Sequence, residues 1–406
     1  MARATGTGPT TGPTRTPART SAIVVGTGVA GAATAFSLAR RGVAVTLVDG
    51  DFPGQATAAG AGIIQPWSST ASGPFYDLYA ASADHYPELI SQLAAAGVRD
   101  IGYRRSGALI VNRDAHVLDE IEARLATRAP QAQSIGEVSR VPNSRARELF
   151  PPLGDSFDAL HISGGARVDG RALRAGLLAA AQSLGATMVP GTASIVAADA
   201  RAPIAAEDAD APAAPADATG WAIEVDGRRL HADAVVLAAG AWTNRLLEPL
   251  GRRIPVEPQR GQITHLRVDG ADTRSWPSVH PVASHYLVAF DDARVVVGAT
   301  RETGSGFDPR VTAEGQRQVL ANALSVAPGL ADATVIETRV GLRPLADGDL
   351  PVVGALRGLD GLFVNAGFGA AGLTMGPLVG ERLAAMLTGE AAVPATGFLS
   401  PVDAGV

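Results

Sequence analysis

Residues 23–49 constrain the fold of this chain more than any other stretch. Ile23, Val24 and Val25 form a β-branched run of the kind that fills a buried strand. Gly26, Gly28 and Gly31 follow as G-x-G-x-x-G, with Val29 and Ala30 inside the motif. Residues 32–41 read as a small-residue helix stopped by Gly42, and 43–48 as a second strand ending in Asp49. In such a unit one glycine makes a tight turn, the next lets backbone approach a pyrophosphate, and the third lets helix and strand pack closely. The helix N-terminus offers unpaired N–H groups and a positive dipole end to phosphate. Asp49, followed by Gly50, sits where an acid hydrogen-bonds a ribose hydroxyl. A lone G-x-G-x-x-G is a weak signal. Strand, glycines, helix, strand and acid in register together predict a dinucleotide site.

A chain of 406 residues, 46% hydrophobic and 18% charged, suits two or three domains with a large core. It has no Cys, which excludes a disulfide framework, thiolate metal sites and a cysteinyl link to a cofactor. Seven His leave a histidyl link open, but none has metal-ligand spacing. All 34 basic residues are Arg, so lysine Schiff-base, general-base and oxygen-activating roles are closed. A net charge of −6 without a basic cluster argues against nucleic acid as a partner. No apolar run has the length of a membrane span. Residues 1–20, rich in Thr, Pro and Gly with scattered Arg, read as a flexible tail rather than a signal peptide, and a cytoplasmic protein is expected.

Beyond Asp49, residues 50–66 are dense in Gly and Ala, so their backbone is expected to lie against something flat or bulky. Residues 76–96 and 116–129 read as helices, and 139–152 as loop. Asp169 is an N-cap candidate for a helix over 171–184. The Ala/Asp/Pro tract at 197–220 reads as a mobile loop between two strands. Residues 262–268, 286–290 and 294–299 have the β-branched content of an antiparallel sheet. A last helix is expected over 373–387, with Pro377 in its first turn.

Four stretches, in this order, resemble the D-amino-acid oxidase family of flavoproteins, which includes glycine oxidases and bacterial D-amino-acid dehydrogenases. They are the N-terminal fingerprint; the strand at 235–240 with Ala241 and Trp242; Gly341-Leu342-Arg343-Pro344 with Asp347 and Pro351; and the closing run from Asn365 to Thr374. The resemblance covers roughly residues 22–388. It implies an α/β fold: a glutathione-reductase-like FAD-binding Rossmann domain with a second α+β substrate domain built on an antiparallel sheet. The implied FAD domain takes residues 21–100, 157–245 and 339–395, and the substrate domain 101–156 and 246–338.

Position by position, the resemblance assigns Gly26, Gly28, Val29, Ala30, Gly31, Asp49 and Gly50 to the ADP half of non-covalent FAD, and Thr57 to its pyrophosphate. Ala61, Gly62 and Ile63 fall beside the isoalloxazine, and Ser194 where a backbone contact to adenine is expected. Ala239, Gly240, Trp242, Gly367 and Gly369 belong to the cofactor-binding segments. Gly372, Leu373 and Thr374 open the last helix toward the flavin's pyrimidine edge, where a helix N-terminus stabilises the charge of the reduced ring. Arg343 matches the clamp for a substrate carboxylate, and Tyr286 a second pocket ligand. Ala370 stands where glycine oxidases carry another pocket Arg, while Arg301 stands where relatives often have an apolar residue. Arg301 thus either replaces the lost cation or binds a larger, acidic substrate.

The implied reaction is oxidation of the C–N bond of a D-amino acid, glycine or an N-alkyl or cyclic amino acid. Hydride passes to flavin N5, and the imine product hydrolyses to an oxo acid; oxygen or a quinone is the acceptor, and a homo-oligomer is possible. Other readings stay open. Arg343 also suits an ion pair with Asp347 or Asp349, Tyr286 a core or rim position, Arg301 a surface position, and His280 and His285 ordinary loop positions. An oxidase or dehydrogenase of a specialised biosynthetic intermediate, an FAD-dependent hydroxylase using NAD(P)H, and a flavin-binding protein without turnover are the alternatives.

Overall fold

A computed structural model of the chain describes residues 19–197, 220–348, 350–390 and 402–405. Residues 1–18 of the expected tail, the core of the 197–220 loop, Asp349 and the end of the 339–395 segment lie outside the described residues. Two sheets organise the rest. The first runs in the order Val352–Ala355, Leu362–Ala366, Ala234–Leu237, Ser21–Val25, Ala44–Asp49, Thr187–Pro190. Every neighbour pair is parallel except the one at the Val352–Ala355 edge. Its central strands are buried because both faces are covered. Helices Val29–Ala39, Gly170–Ser183 and Gly372–Leu387 pack together on one side, and the antiparallel strands Ala193–Ala197, Trp221–Val225 and Arg228–His231 supply Ile195, Ile223 and Val225 on the other.

Small residues explain the depth of the first helix. All eleven residues of Val29–Ala39 are buried, and Gly376 and Gly380 of the last helix leave it room. A Cβ on Gly380 would come within 2.7 Å of the Thr34 nitrogen. The helix begins earlier than the sequence suggests, at Val29, because Gly28 takes the N-cap position.

The second sheet is mostly antiparallel. Its order is Glu302–Thr303, Val256–Arg267, Arg294–Gly298, Tyr286–Ala289, Ser278–Pro281, Ala108–Asn112, Asp158–Ile162, Val138–Val141. Thr334–Ala346 adds to Val256–Arg267 along nearly its whole length. Asp158–Ile162 pairs with Ala108–Asn112, and position 339 falls inside a continuous strand. Residues 139–152, expected as loop, hold the strand Val138–Val141 and the helix Asn143–Leu149.

Residues 76–96 form two helices, Gly73–Asp84 and Tyr86–Ala95, because Pro87 starts the second. Pro377 lies beyond the first turn of Gly372–Leu387, so it does remove an internal hydrogen bond, the one Leu373 O would accept. The Tyr86 hydroxyl donates to that carbonyl instead, and its ring stacks on Tyr103 at 5.3 Å. Ion pairs join the two layers: Asp291, in the hairpin turn of the second sheet, meets Arg167 and Arg104, and Arg294 meets Asp169 at 3.2 Å. Among the described residues no helix is long and apolar enough to cross a membrane.

Candidate active site

The C-terminal ends of the parallel strands face the second sheet across a cleft of about 1120 Å³. Its nucleotide end is built by the fingerprint. Gly26 has φ +101° and lies against Ala238, whose carbonyl a Cβ would approach to 2.4 Å. Gly28, Val29 and Ala30 line the cleft where the first helix starts. Thr57 Oγ1 accepts from Val29 N at 2.9 Å, meeting one of the helix's four unpaired donors. Gly31 lies behind the lining as the packing glycine, with Gly26 O only 1.9 Å from where its Cβ would sit.

Asp49 is held by two neighbours that sequence reasoning missed. Thr27 N donates to Asp49 Oδ2 at 2.8 Å, and the Thr27 hydroxyl donates to the same oxygen. Arg174, on helix Gly170–Ser183, donates from Nε to Thr27 O at 2.7 Å and from Nη2 to Thr27 Oγ1. Its guanidinium lies 3.7 Å from Asp49 Oδ2. The carboxylate keeps lone pairs for further donors, while Arg174 fixes the loop that carries it. Arg174→Ala is therefore expected to weaken FAD binding about tenfold, roughly 1.4 kcal/mol, read by titrating apoprotein with FAD.

The middle of the cleft is lined by Ala61, Gly62 and Ile63. Gly62 has φ +77°, and its missing Cβ would strike Val168 O at 1.7 Å, so only glycine fits. Gly372, Leu373 and Thr374 face these residues from the last helix. Thr374 Oγ1 donates to Ile63 O at 2.9 Å, tying the two segments together. Gly369 N bonds Pro344 O at 2.8 Å, which docks the closing loop on the strand that bears Arg343.

Arg343, Tyr286 and Arg301 all line the far end. Arg343 is half-buried, and its Nη1 donates to Thr300 O at 3.0 Å. Gly261 makes room for it: a Cβ there would lie 2.3 Å from Arg343 Nη2. Neither Asp347 nor Glu302 takes its guanidinium; the Glu302 oxygens serve Arg260, Gln262 and Thr300. Tyr286 lies beside Arg343 and Arg301, and burial holds its phenol above the usual value against the pull of both. It is thus a neutral donor beside two cations. Among the described residues no carboxylate pairs with Arg301, which is exposed toward the cleft. His280 and His285 also line this end. Burial lowers His280 to about 4, and its Nε2 sits 2.8 Å from Ser278 Oγ, so the ring is neutral at ordinary pH.

Most assigned positions converge. Gly50, Ala239, Gly240, Trp242 and Gly369 line the cleft with those already described. Ser194 and Gly367 do not: the exposed Ser194 pairs with Glu224, and Thr192 and Ala193 line the cleft in its place. Gly367 packs on Val352, whose nitrogen a Cβ would approach to 3.0 Å. Asn365 was quoted only as part of a motif. It is 1% exposed and lines the cleft, and its Oδ1 has no partner. An orphan acceptor there fits a hydroxyl of FAD, and the glycine cradle and helix N-terminus beside it fit the pyrophosphate.

A dinucleotide cradle joined to an arginine–tyrosine pocket defines a flavin-dependent oxidoreductase. The chain belongs to the FAD dependent oxidoreductase (DAO) family, which it matches over residues 21–386. It is 31% identical to a glycine oxidase of Pseudomonas aeruginosa, over 91% of this chain and 94% of that one. The crystal structure of iminodiacetate oxidase from Chelativorans sp. BNC1 is similar at TM-score 0.87 and 44% identity, covering 95% of this chain and 100% of that one. That of glycine oxidase from Geobacillus kaustophilus is similar at TM-score 0.76 and 26% identity, covering 93% and 96%. FAD is its cofactor.

Proposed function

We propose that the enzyme oxidises the C–N bond of a small secondary amino acid carrying two carboxylates, of which iminodiacetate is the simplest. The observation that carries this reading is the pair Arg343 and Arg301 at one end of the cleft with Tyr286 coupled to both. One guanidinium suits an α-carboxylate, as in an enzyme for glycine. A second, with no carboxylate partner among the described residues, suits a substrate with an acid on the far side of its nitrogen. The 44% identity to an iminodiacetate oxidase supports the same class.

Arg343 binds the carboxylate next to the reacting carbon, Tyr286 donates to it, and Arg301 takes the distal carboxylate. Fixing both ends leaves the central CH₂–N bond one orientation in the cleft. FAD, when bound, supplies the two-electron acceptor. The substrate reacts as the free amine, so its ammonium proton leaves to water first. Loss of hydride from carbon leaves a protonated imine, which water splits into an oxo acid and a smaller amino acid.

Anaerobic bleaching of the flavin by iminodiacetate, sarcosine and glycine tests this order. Iminodiacetate is expected to bleach fastest and to yield glyoxylate and glycine. Arg301→Leu is expected to raise KM for iminodiacetate about 30-fold, roughly 2 kcal/mol for a charge-assisted contact, with a change of no more than about twofold for glycine. Equal losses on both substrates would overturn the distal role of Arg301.

A further inference from the structure

The adenosine end of the cleft carries an aromatic series that the flavin chemistry does not need. Phe52, three positions after Asp49, stacks on Trp242 at 5.9 Å and 17°. Trp242 meets Phe307 at 5.7 Å, and the Arg245 guanidinium lies 4.1 Å from the centre of the Phe307 ring. Phe52, Trp242 and Arg245 line the cleft. Phe307 comes from the other layer, in the segment between strand Glu302–Thr303 and helix Ala313–Val326, and is 37% exposed.

That segment has the build of a clip. Arg260 holds both of its ends, bonding Glu302 Oε2 from Nε at 2.8 Å and Asp308 Oδ2 from Nη1 at 2.7 Å. Gly304 and Gly306, at φ +79° and +58°, bend the chain between these anchors. Pro309 then abuts the segment after Asp49, since a Cβ on Gly54 would lie 3.2 Å from Pro309 Cβ. The phenyl ring is thus carried from the second sheet across to the nucleotide-binding loops.

We propose that Phe307 is a cofactor-retention residue: by packing on Trp242 it closes the adenosine end of the FAD site, and the clip must lift before the cofactor leaves. Offset aromatic contact and a cation over the ring face hold it shut.

The test is the rate of FAD release from diluted holoenzyme, followed by the rise of free-FAD fluorescence. Phe307→Ala is expected to release FAD about tenfold faster than the native protein. Phe307→Tyr, which restores a ring, is expected to release it within about twofold of the native rate. A release rate for Phe307→Ala within about twofold of native overturns the proposal. So does an acceleration that persists equally in Phe307→Tyr, because loss of a specific ring contact predicts rescue.

Discussion

Replacing Arg343 with alanine is expected to lower kcat/KM for the best carboxylate substrate by about 10³-fold, roughly 4 kcal/mol. The size follows from the setting. The guanidinium is half-buried, pinned by the Thr300 carbonyl and set beside Tyr286, over a glycine that leaves it space. A carboxylate docked there exchanges water for two parallel charged hydrogen bonds. Without the arginine it meets a partly desolvated pocket with Arg301 as the remaining cation. Arg343→Lys should fall between, since an ammonium keeps the charge but loses the planar fork. Steady-state kinetics on flavin-replete protein checks both variants. An unchanged kcat/KM for Arg343→Ala removes the clamp from the account.

The second large effect is expected at Gly31. Its backbone is ordinary helix, so the penalty of a side chain there is steric. The Cβ of Gly31→Ala would sit 1.9 Å from Gly26 O and 3.1 Å from Ala238 Cβ. Helix Val29–Ala39 must then shift off the strand, and the cleft-lining residues at its start shift with it. Purified Gly31→Ala is expected to carry less than about a tenth of the native flavin, and its apoprotein to melt earlier. Gly42→Ala is the contrast. Gly42 has φ +77° but nothing within 4 Å of a Cβ, so it should lose only about 1 kcal/mol of stability and keep its flavin. Full flavin content in Gly31→Ala would mean that the packing does not set the cradle.

How much of this was legible in the sequence depends on distance along the chain. The fingerprint was legible because strand, turn and helix are consecutive, and local chemistry dictates them. Gly62 and Thr374 were legible as family positions, although their partners, Val168 O and Ile63 O, are not. Arg174, Asn365 and Phe307 carried no readable signal, since each matters through a neighbour brought in by the fold: Thr27, the helix above strand Leu362–Ala366, and Trp242. Ser194 does not line the cleft: strand Ala193–Ala197 leaves it almost at once, and Gly191, Thr192 and Ala193 line it instead. Composition does not reveal that Thr334–Ala346 is one unbroken strand, which runs through position 339.

Pro377 and Tyr86 have a wider consequence. The proline deletes one internal strut of the last helix, and a phenol 287 positions away in sequence stands in for it at Leu373. Leu373 and Thr374 border the cleft, whereas Tyr86 does not. A single hydroxyl far off in the sequence thus decides whether the carbonyl left open by the proline is satisfied, with no change among the residues that border the cleft.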